Sequence, residues 1–407
     1  MRQEINHWFL NLDTIRISFA PKKEGIFLFK HINYIIESKN RQTTVIRRYS
    51  DFWWLLETLG KRFPFRTLPS LPPKRLGVGD EVFLERRLRG LTRFMNALMR
   101  HPVLRDDPLV VSFLTEPVEL AIWRKNVVVS TEDEFTSQLP ISEDLSGHVP
   151  SNLDVQLEVI KTRLPALVDY VRSMVHVMDR IQKRTEATAA DYMRYSLAIH
   201  ALADCERQCH LNECYNCEQL SQGYNKIGSH MNKTSSILEE QAKSLQRSMV
   251  EDLKRLRDLQ ISLMELLQRY ERSREAGIIE TLRKRITANE TKLKAVQASA
   301  VAAAAAAAAG GNQDAGDLSA FESQIEKVGA SIASDRVELE VLLQRVVLQR
   351  YTLWMEITYF HKNQALIATM YQRFVQEQTK TSQSLRDNWK SLSPIVHDMP
   401  MEVNGFN

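Results

Sequence analysis

The chain has 407 residues and a formal net charge of +4, but this charge is distributed unevenly. Residues 1–117 carry 20 Lys and Arg against 12 Asp and Glu, whereas residues 118–407 carry 34 against 38. A basic N-terminal module favours anionic partners such as lipid headgroups or nucleic acid. No stretch is long and apolar enough to predict a transmembrane span.

The N-terminus has no signal-peptide pattern and runs almost directly into strand-like sequence, so we expect a truncated N-terminus or a missing leader. The four cysteines all fall between Cys205 and Cys217. So short a segment predicts no disulfide framework for a chain of this length, and it favours a reducing, cytosolic setting.

Residues 1–117 predict a small module that mixes strands and helices. Apolar and β-branched residues alternate in two segments, and a third short segment completes a predicted three-stranded meander. A helix capped by Ser50 follows, and the four prolines from Pro64 to Pro73 then favour an extended path. The predicted strands lie in residues 5–19, 25–36 and 43–47, and the predicted helices lie in residues 50–63 and about 80–100.

Two arginines stand directly before an aromatic residue at the end of the third predicted strand: Arg47 and Arg48 precede Tyr49. Guanidinium donors match phosphate oxygens, and a tyrosine ring offers a flat face on which another ring can rest. Taken alone, these residues leave two interpretations open. They form either a phosphate site or an ordinary basic strand edge beside a buried helix.

Three motifs together resemble the PX domain, the phosphoinositide-binding module of sorting nexins. They are the run Arg47–Phe52, the proline-rich run Leu68–Lys74 and the helical run Arg86–Met95. The resemblance implies an α+β fold, a three-stranded antiparallel sheet plus helices, over residues 1–117. It also implies binding of phosphatidylinositol 3-phosphate, with Arg48 at the 3-phosphate, Tyr49 under the inositol ring, Lys74 at the 1-phosphate and Arg87 at the inositol hydroxyls.

The same resemblance separates binding residues from packing residues. Leu76 and Val78 lie on the loop that the family inserts into the bilayer, and the alternative is that they fold back onto the domain. Phe52 and Leu55 are expected to hold the helix to the sheet, and Arg47 is expected to point away from the lipid.

Residues 118–150 predict an acidic linker. Six acidic residues and two basic ones occur between Glu119 and Pro150, and the run Ser130–Glu134 is typical of solvated chain. We expect a plain tether. A second hypothesis is that the acidic segment competes with lipid for the basic site.

Residues 151–407 predict an elongated three-helix coiled coil. Apolar residues recur at alternating spacings of four and three, as in Met249, Leu253 and Leu256, which is a heptad seam. Residues 152–164 form either a separate membrane-binding amphipathic helix or the first turns of a long helix in the bundle. The predicted helices are about 151–217, 222–299 and 318–392, with an Ala/Gly tip loop at about 300–317.

A PX domain followed by three long helices resembles the PX–BAR sorting nexins, in particular the fungal Mvp-type sorting nexins and their animal relative, sorting nexin eight. The resemblance implies a curved homodimer, or a higher oligomer, with a basic concave face. Because the helical region is net acidic, its membrane-facing charge must be segregated, and a solvated helix face is the alternative. The candidate residues are Lys254, Arg255, Arg257, Arg283, Lys284 and Arg285.

No motif predicts an enzyme, a cofactor site or a metal site. Cys205, Cys209, Cys214 and Cys217, with His210, are too closely spaced for a typical zinc fold, and small buried cysteines on a helical seam are the favoured interpretation. The resemblance therefore implies a cytoplasmic, peripheral protein of endosomal membranes that supports tubule formation, cargo recycling and retrograde or vacuolar sorting.

The resemblance also implies cargo tails and a dynamin-like GTPase as partners. Two other functions are weighed against this one. The first is a lipid-anchored coiled-coil scaffold that binds proteins without remodelling membranes. The second, a nucleic-acid binder, is disfavoured because the basic residues converge on one tyrosine instead of following several stacked aromatics.

Overall fold

The structure is a computed structural model. It describes residues 8–10, 12–21, 32–74, 80–141, 145–207, 214–273, 275–308 and 315–406. Two compact units are formed, each from three segments of the chain. The first comprises Met1–Asp80, Phe94–Thr162 and Ser262–Tyr359, and the second comprises Glu81–Arg93, Arg163–Ile261 and Phe360–Asn407.

The first unit contains a three-stranded antiparallel sheet. Strands β1 (Ile15–Phe19), β2 (Asn33–Ser38) and β3 (Thr43–Arg48) lie in sequential order. Ile36 and Val45 pair across β2 and β3 and are both buried, whereas Ile46 on the opposite face is exposed. This alternation puts one face of the sheet against the core, and it confirms the predicted meander.

Helix α1 (Tyr49–Arg62) follows β3 without a loop. Phe52 and Leu55 are fully buried, and the Phe52 ring packs edge-to-face on Phe113 with 5.2 Å between centroids. These two residues therefore hold α1 to the core, as predicted. The predicted cap Ser50 is wrong: α1 is capped at Arg48, whose backbone N–H donates to the Asp51 carboxylate at 2.9 Å. A carboxylate in the first turn also suits the positive end of the helix.

Three further α-helices lie in the described residues before residue 150. They are α2 (Glu81–Arg100), α3 (Pro108–Thr115) and α4 (Leu120–Asn126). Asp107 caps α3 by accepting a hydrogen bond from the Leu109 N–H at 2.9 Å. The described part of the proline-rich run, from Thr67 to Lys74, has no regular secondary structure, as its prolines predict.

Residues 130–134 were predicted to be solvated chain: Ser130, Thr131 and Glu132 are exposed, but Asp133 and Glu134 are half-buried. Phe135 next to them is fully buried, and its ring lies between the Phe65 ring, at 5.9 Å, and the Arg345 guanidinium, at 5.3 Å. Asp133 pairs with Arg345, and Glu134 pairs with Arg66 at 2.8 Å. The acidic residues look solvated in sequence because their arginine partners lie far away along the chain.

Long helices make up most of the remaining chain. Val175, Met249, Leu253 and Met370 form a buried cluster in the second unit, and this cluster joins three helical segments. The helices are α5 (Leu153–Glu206), α6 (Tyr215–Leu245), α7 (Glu251–Glu271), α8 (Glu275–Ala308), α9 (Ala315–Lys362) and α10 (Ala365–His397), with a π-helical turn at Gln246–Val250. None of the helices in these described segments could cross a membrane.

The helix ends differ from those predicted. α5 ends at Glu206 instead of residue 217, and α6 already begins at Tyr215. In the seam predicted for this region, Leu202 is 43% exposed and Cys205 is also exposed. The expectation of a buried Cys205 is therefore wrong, and Cys209 lies outside the described residues.

The first turns of α5 are continuous with the rest of that helix. Leu153 and Leu164 are buried at 0% and 1% exposure, and the helix passes through Pro165. Of the two interpretations of residues 152–164, the structure shows the first turns of a long packed helix.

Candidate functional site

Arg47 and Arg48 are adjacent but have different environments. Arg47 is 1% exposed and donates hydrogen bonds to the carbonyls of Phe113 at 3.1 Å, Glu116 at 2.6 Å and Ile46 at 2.9 Å. Burial lowers the pKa of Arg47 below its usual value. This side chain thus links β3 to α3 and to the segment after it. Arg47 is buried in the fold, and its orientation away from the lipid stays a prediction.

Arg48 instead lies at the open start of α1. Its side chain is 30% exposed, with Nε 3.6 Å from the Asp51 carboxylate and Nη1 3.9 Å from the Glu119 carboxylate. Both separations exceed a normal hydrogen bond. A guanidinium held this loosely at a helix N-terminus can turn its donors toward an arriving phosphate.

Tyr49 connects the start of α1 to the proline-rich run. Its hydroxyl donates to the Pro72 carbonyl at 2.5 Å. Two residues further on, Lys74 is exposed, and its ammonium lies 5.8 Å from the ring of Trp53, one turn into α1. The structure therefore brings Arg48, Tyr49 and Lys74 to the same end of α1, and it adds Trp53, which sequence reasoning missed.

The remaining predicted lipid contacts are less accessible or lie outside the description. Arg87 is on α2 in the second unit, 8% exposed, with its guanidinium 4.4 Å above the Phe83 ring. Leu76 and Val78 fall among residues 75–79, outside the described residues. The roles of all three stay predictions.

The basic candidates on the long helices have acidic neighbours. Arg283 and Lys284 are exposed, with Lys284 3.4 Å from Glu280, and Arg285 binds Asp335 at 2.5 Å. The three candidates in α7 pair with nearby acids: Lys254 with Glu251 at 3.1 Å, Arg255 with Asp252 at 3.3 Å and Arg257 with Asp258 at 2.6 Å. Local pairing cancels much of the charge that a membrane would meet.

A buried ionic cluster in the first unit was not anticipated from the sequence. Glu356 on α9 is 1% exposed and accepts hydrogen bonds from Arg66 at 3.1 Å and from the Thr67 N–H at 2.9 Å. His101 Nε2 lies 3.1 Å from both of its oxygens. The available signal was local: Glu356 is the single charged residue in the apolar run from Tyr351 to Phe360.

The two carboxylates of this cluster titrate differently. Burial alone would raise the pKa of Glu356, but His101, Arg66 and the Thr67 hydrogen bond outweigh it and lower that pKa to about 2. Burial raises the pKa of Glu134, and Arg66 offsets this only in part. The cluster joins the loop after α1, the end of α2, the linker and α9, so it fixes the candidate site's module to this part of the helical region.

Comparison with known proteins identifies the modules. The PX domain family matches residues 36–117, and the sorting nexin 8/Mvp1 BAR domain family matches residues 128–403, more than half of the chain. The chain belongs to the sorting nexin 8/Mvp1 family. Its fold is accordingly a PX domain followed by a helical BAR domain, as the sequence predicted. Neither of the two matched families is a catalytic one.

Similar proteins are fungal sorting nexins. The sorting nexin mvp1 of Aspergillus oryzae is 36% identical over 96% of this chain and 51% of its own length, and that of Kluyveromyces lactis is 28% identical over 96% and 74%. This sorting nexin spans about half the length of several curated relatives that it matches. A solved structure described as the SNX-BAR Mvp1 tetramer is 26% identical with a TM-score of 0.73, covering 93% of this chain and 100% of that one.

Proposed function

We propose that this sorting nexin binds phosphatidylinositol 3-phosphate on endosomal membranes through its PX domain, and that it senses or generates curvature through a BAR dimer. Tubule formation, cargo recycling and endosomal or vacuolar sorting follow from these two activities. The observation that carries the proposal is the convergence of Arg48, Tyr49 and Lys74 at the start of α1. Two cations beside an aromatic ring suit a phosphorylated inositol.

An exposed apolar seam on α5 supports self-association. Its residues recur at spacings of three and four, and each is 37–69% exposed, whereas Val168, Val171 and Val175 on a neighbouring stripe of α5 are buried. Such a seam in the second unit favours burial against another helix. The seam consists of Leu167, Tyr170, Met174, Val177 and Ile181. The description of the similar Mvp1 structure as a tetramer also favours an oligomer.

Liposome binding and electron microscopy test the proposal together. Arg48→Ala should weaken binding to vesicles containing phosphatidylinositol 3-phosphate by about 10–100-fold, because charge-assisted hydrogen bonds to the phosphate are lost. Lys61→Ala removes a cation from the other end of α1 and should leave affinity nearly unchanged. If both variants bind like the wild type, the assignment of Arg48 to the site is wrong. If vesicles with 4-phosphorylated lipid bind equally well, the proposed specificity for the 3-phosphate is wrong.

The apolar seam is tested in the same assay. Met174→Lys combined with Ile181→Lys should abolish self-association and tubule formation. Each protomer keeps its lipid site, so the affinity for vesicles should fall only because two linked sites no longer bind together. Ser173→Lys adds charge beside the seam and serves as the matched control. Tubules formed by a seam variant shown to be monomeric would contradict the curvature proposal.

The paired cations favour a second candidate function. Lys254, Arg255 and Arg257 each have an acid within 3.3 Å. These three cations therefore offer less free positive charge to a membrane than unpaired cations would. The protein would then be a lipid-anchored coiled-coil scaffold for other proteins. In that case the wild type would bind the same vesicles and leave them spherical.

Glu119 is expected to weaken lipid binding at Arg48. Its carboxylate lies 3.9 Å from Arg48 Nη1 and is 61% exposed, so it competes with phosphate through a screened, solvent-exposed contact. Glu119→Gln should therefore tighten binding about two- to fivefold at low salt, and by less at high salt. Glu57→Gln, an exposed acid elsewhere on α1, is the control. Equal gains for both variants would point to overall charge instead of this contact.

A further inference from the structure

Trp53 is a large aromatic side chain that α1 leaves in contact with solvent. It is 45% exposed, whereas Phe52 and Leu55 on the same helix are fully buried. The next residue, Trp54, is half-buried, and its ring packs edge-to-face on Trp123 with 6.5 Å between centroids. Packing of α1 against the core therefore does not explain why a tryptophan occupies position 53.

The exposed ring lies beside the candidate lipid site. The Lys74 ammonium is 5.8 Å from the centre of the Trp53 ring, within the range of a cation–π contact. Tyr49, one helical turn before Trp53, donates its hydroxyl to the Pro72 carbonyl at 2.5 Å and so ties the proline-rich run to α1. The start of α1 thus holds Trp53 and Lys74 next to each other at one edge of the site.

The chemistry of the lipid indicates which edge of the site faces the bilayer. This step rests on the proposed function, in which Lys74 meets the 1-phosphate and Arg48 meets the 3-phosphate. The 1-phosphate of a phosphatidylinositol is esterified to diacylglycerol, so the acyl chains leave the site on the Lys74 side. A tryptophan ring is favoured at the membrane–water interface, because its body is apolar while its indole N–H still finds a polar partner. A lipid bound in this way puts Trp53 at the edge that faces the bilayer.

We propose that Trp53 is a membrane-interface anchor, whose ring enters the headgroup region of the bilayer beside Lys74 when the PX domain holds its lipid. The ring then loses water-exposed apolar surface, which stabilises the protein on the membrane. A soluble headgroup without acyl chains brings no bilayer, so the ring gains nothing from it. The anchor therefore acts on vesicle binding alone, whereas the lipid pocket acts on vesicle binding and on headgroup binding.

Two ligands separate the anchor from the pocket, and the full chain is measured with each. The first is vesicles of phosphatidylcholine that contain phosphatidylinositol 3-phosphate, and the second is the soluble headgroup inositol 1,3-bisphosphate. Trp53→Ala should weaken vesicle binding about tenfold, because the ring is no longer buried in the bilayer. Its headgroup affinity should stay within about threefold of the wild type, since an exposed cation–π contact is weak. Trp53→Phe keeps an aromatic ring and should recover part of the vesicle affinity.

Ile122→Ser is the matched control. Ile122 is 51% exposed on α4, and its N–H donates to the Glu119 carbonyl at 2.9 Å. Because the Glu119 carboxylate approaches Arg48, this apolar side chain belongs to the 3-phosphate side of the module. The variant should bind both ligands like the wild type.

Fluorescence shows directly whether the ring enters the bilayer. Vesicles whose acyl chains carry bromine should quench the tryptophan fluorescence of the bound wild type. Trp53→Phe should lose most of this quenching, although the other tryptophans of the chain remain.

Several results would overturn the inference. Unchanged vesicle affinity in Trp53→Ala, or unchanged quenching in Trp53→Phe, would show that the ring stays outside the bilayer. Equal losses of vesicle and headgroup affinity would show that Trp53 only positions Lys74. An equal loss in Ile122→Ser would show that any exposed apolar side chain of the module has this effect. Failure of the proposed function looks different: the wild type would not bind the soluble headgroup, and the inference would fall with it.

Discussion

Replacing Glu356 with alanine is expected to lower the free energy of unfolding by about 3–5 kcal/mol, because the change leaves buried positive groups without their partner. The carboxylate is fully enclosed and is bonded by Arg66, by Thr67 and by His101. In the variant Arg66 still pairs with Glu134 at 2.8 Å. His101, however, loses Glu356, the only carboxylate with which it forms a hydrogen bond among the described residues. Chemical denaturation of the wild type and the variant measures the difference.

A matched pair of variants tests the reason for that loss. Glu322→Ala removes an exposed glutamate from the same helix and should change stability by less than about 0.5 kcal/mol. Arg66→Met combined with Glu356→Leu should cost less than the sum of the two single changes, because each single change already removes the contact between these two side chains. Additive losses in the double variant would show that the two side chains act independently.

Lowering the pH should remove the stabilisation that ionised Glu356 gives to the fold. The folded pKa of about 2 lies below the ordinary value of 4.5, so the stabilisation is complete above pH 4.5 and is lost as the pH falls toward 2. This difference corresponds to about 3 kcal/mol. Glu134 acts in the opposite direction because its pKa is raised. The stability gap between the wild type and Glu356→Gln should therefore narrow on acidification, and a constant gap would contradict this account.

Replacing Arg47 with methionine is expected to destabilise the PX domain by about 2–4 kcal/mol while lipid affinity of the folded protein stays unchanged. The change removes the donors that reach the carbonyls of Phe113, Glu116 and Ile46. Carbonyl groups that are left at these positions without a donor lose the free energy of those hydrogen bonds. Denaturation and liposome binding, measured on the same samples, separate stability from affinity.

The neighbouring arginine provides the contrast. Arg48→Ala should cost less than about 1 kcal/mol of stability, since its ion pairs are long and partly exposed, and it should lose lipid affinity. The reverse pattern would be an Arg47→Met variant that stays folded but no longer binds lipid. This result would show that Arg47, and not Arg48, contacts the phosphate.

Local patterns in the sequence were sufficient for the elements around the candidate site. Alternation in β2 and β3 follows from the two-residue period of a strand, and the burial of Leu253, Leu263 and Leu267 follows from the heptad spacing in α7. The resemblance carried by the run Arg47–Phe52 predicted that the two neighbouring arginines differ in role, and the structure gives them different environments. Each of these features depends on residues within a few positions of one another.

Other features depend on which distant segments meet. The linker was predicted to be solvated because Asp133 and Glu134 show no partner nearby in the chain, yet their arginines are Arg345 and Arg66. The corner between α5 and α6 was placed too late, because helical spacing continues in the sequence beyond Glu206, where α5 ends.

The sequence by itself determined that a basic PX module precedes long amphipathic helices, since backbone periodicity and a short motif are local properties of the chain. Only the tertiary structure decided how that module is held. The bond from Arg66 to Glu356 spans 290 positions. Packing brings such distant charged residues together, and burial makes their pairing necessary, because an unpaired charge removed from water is strongly destabilising.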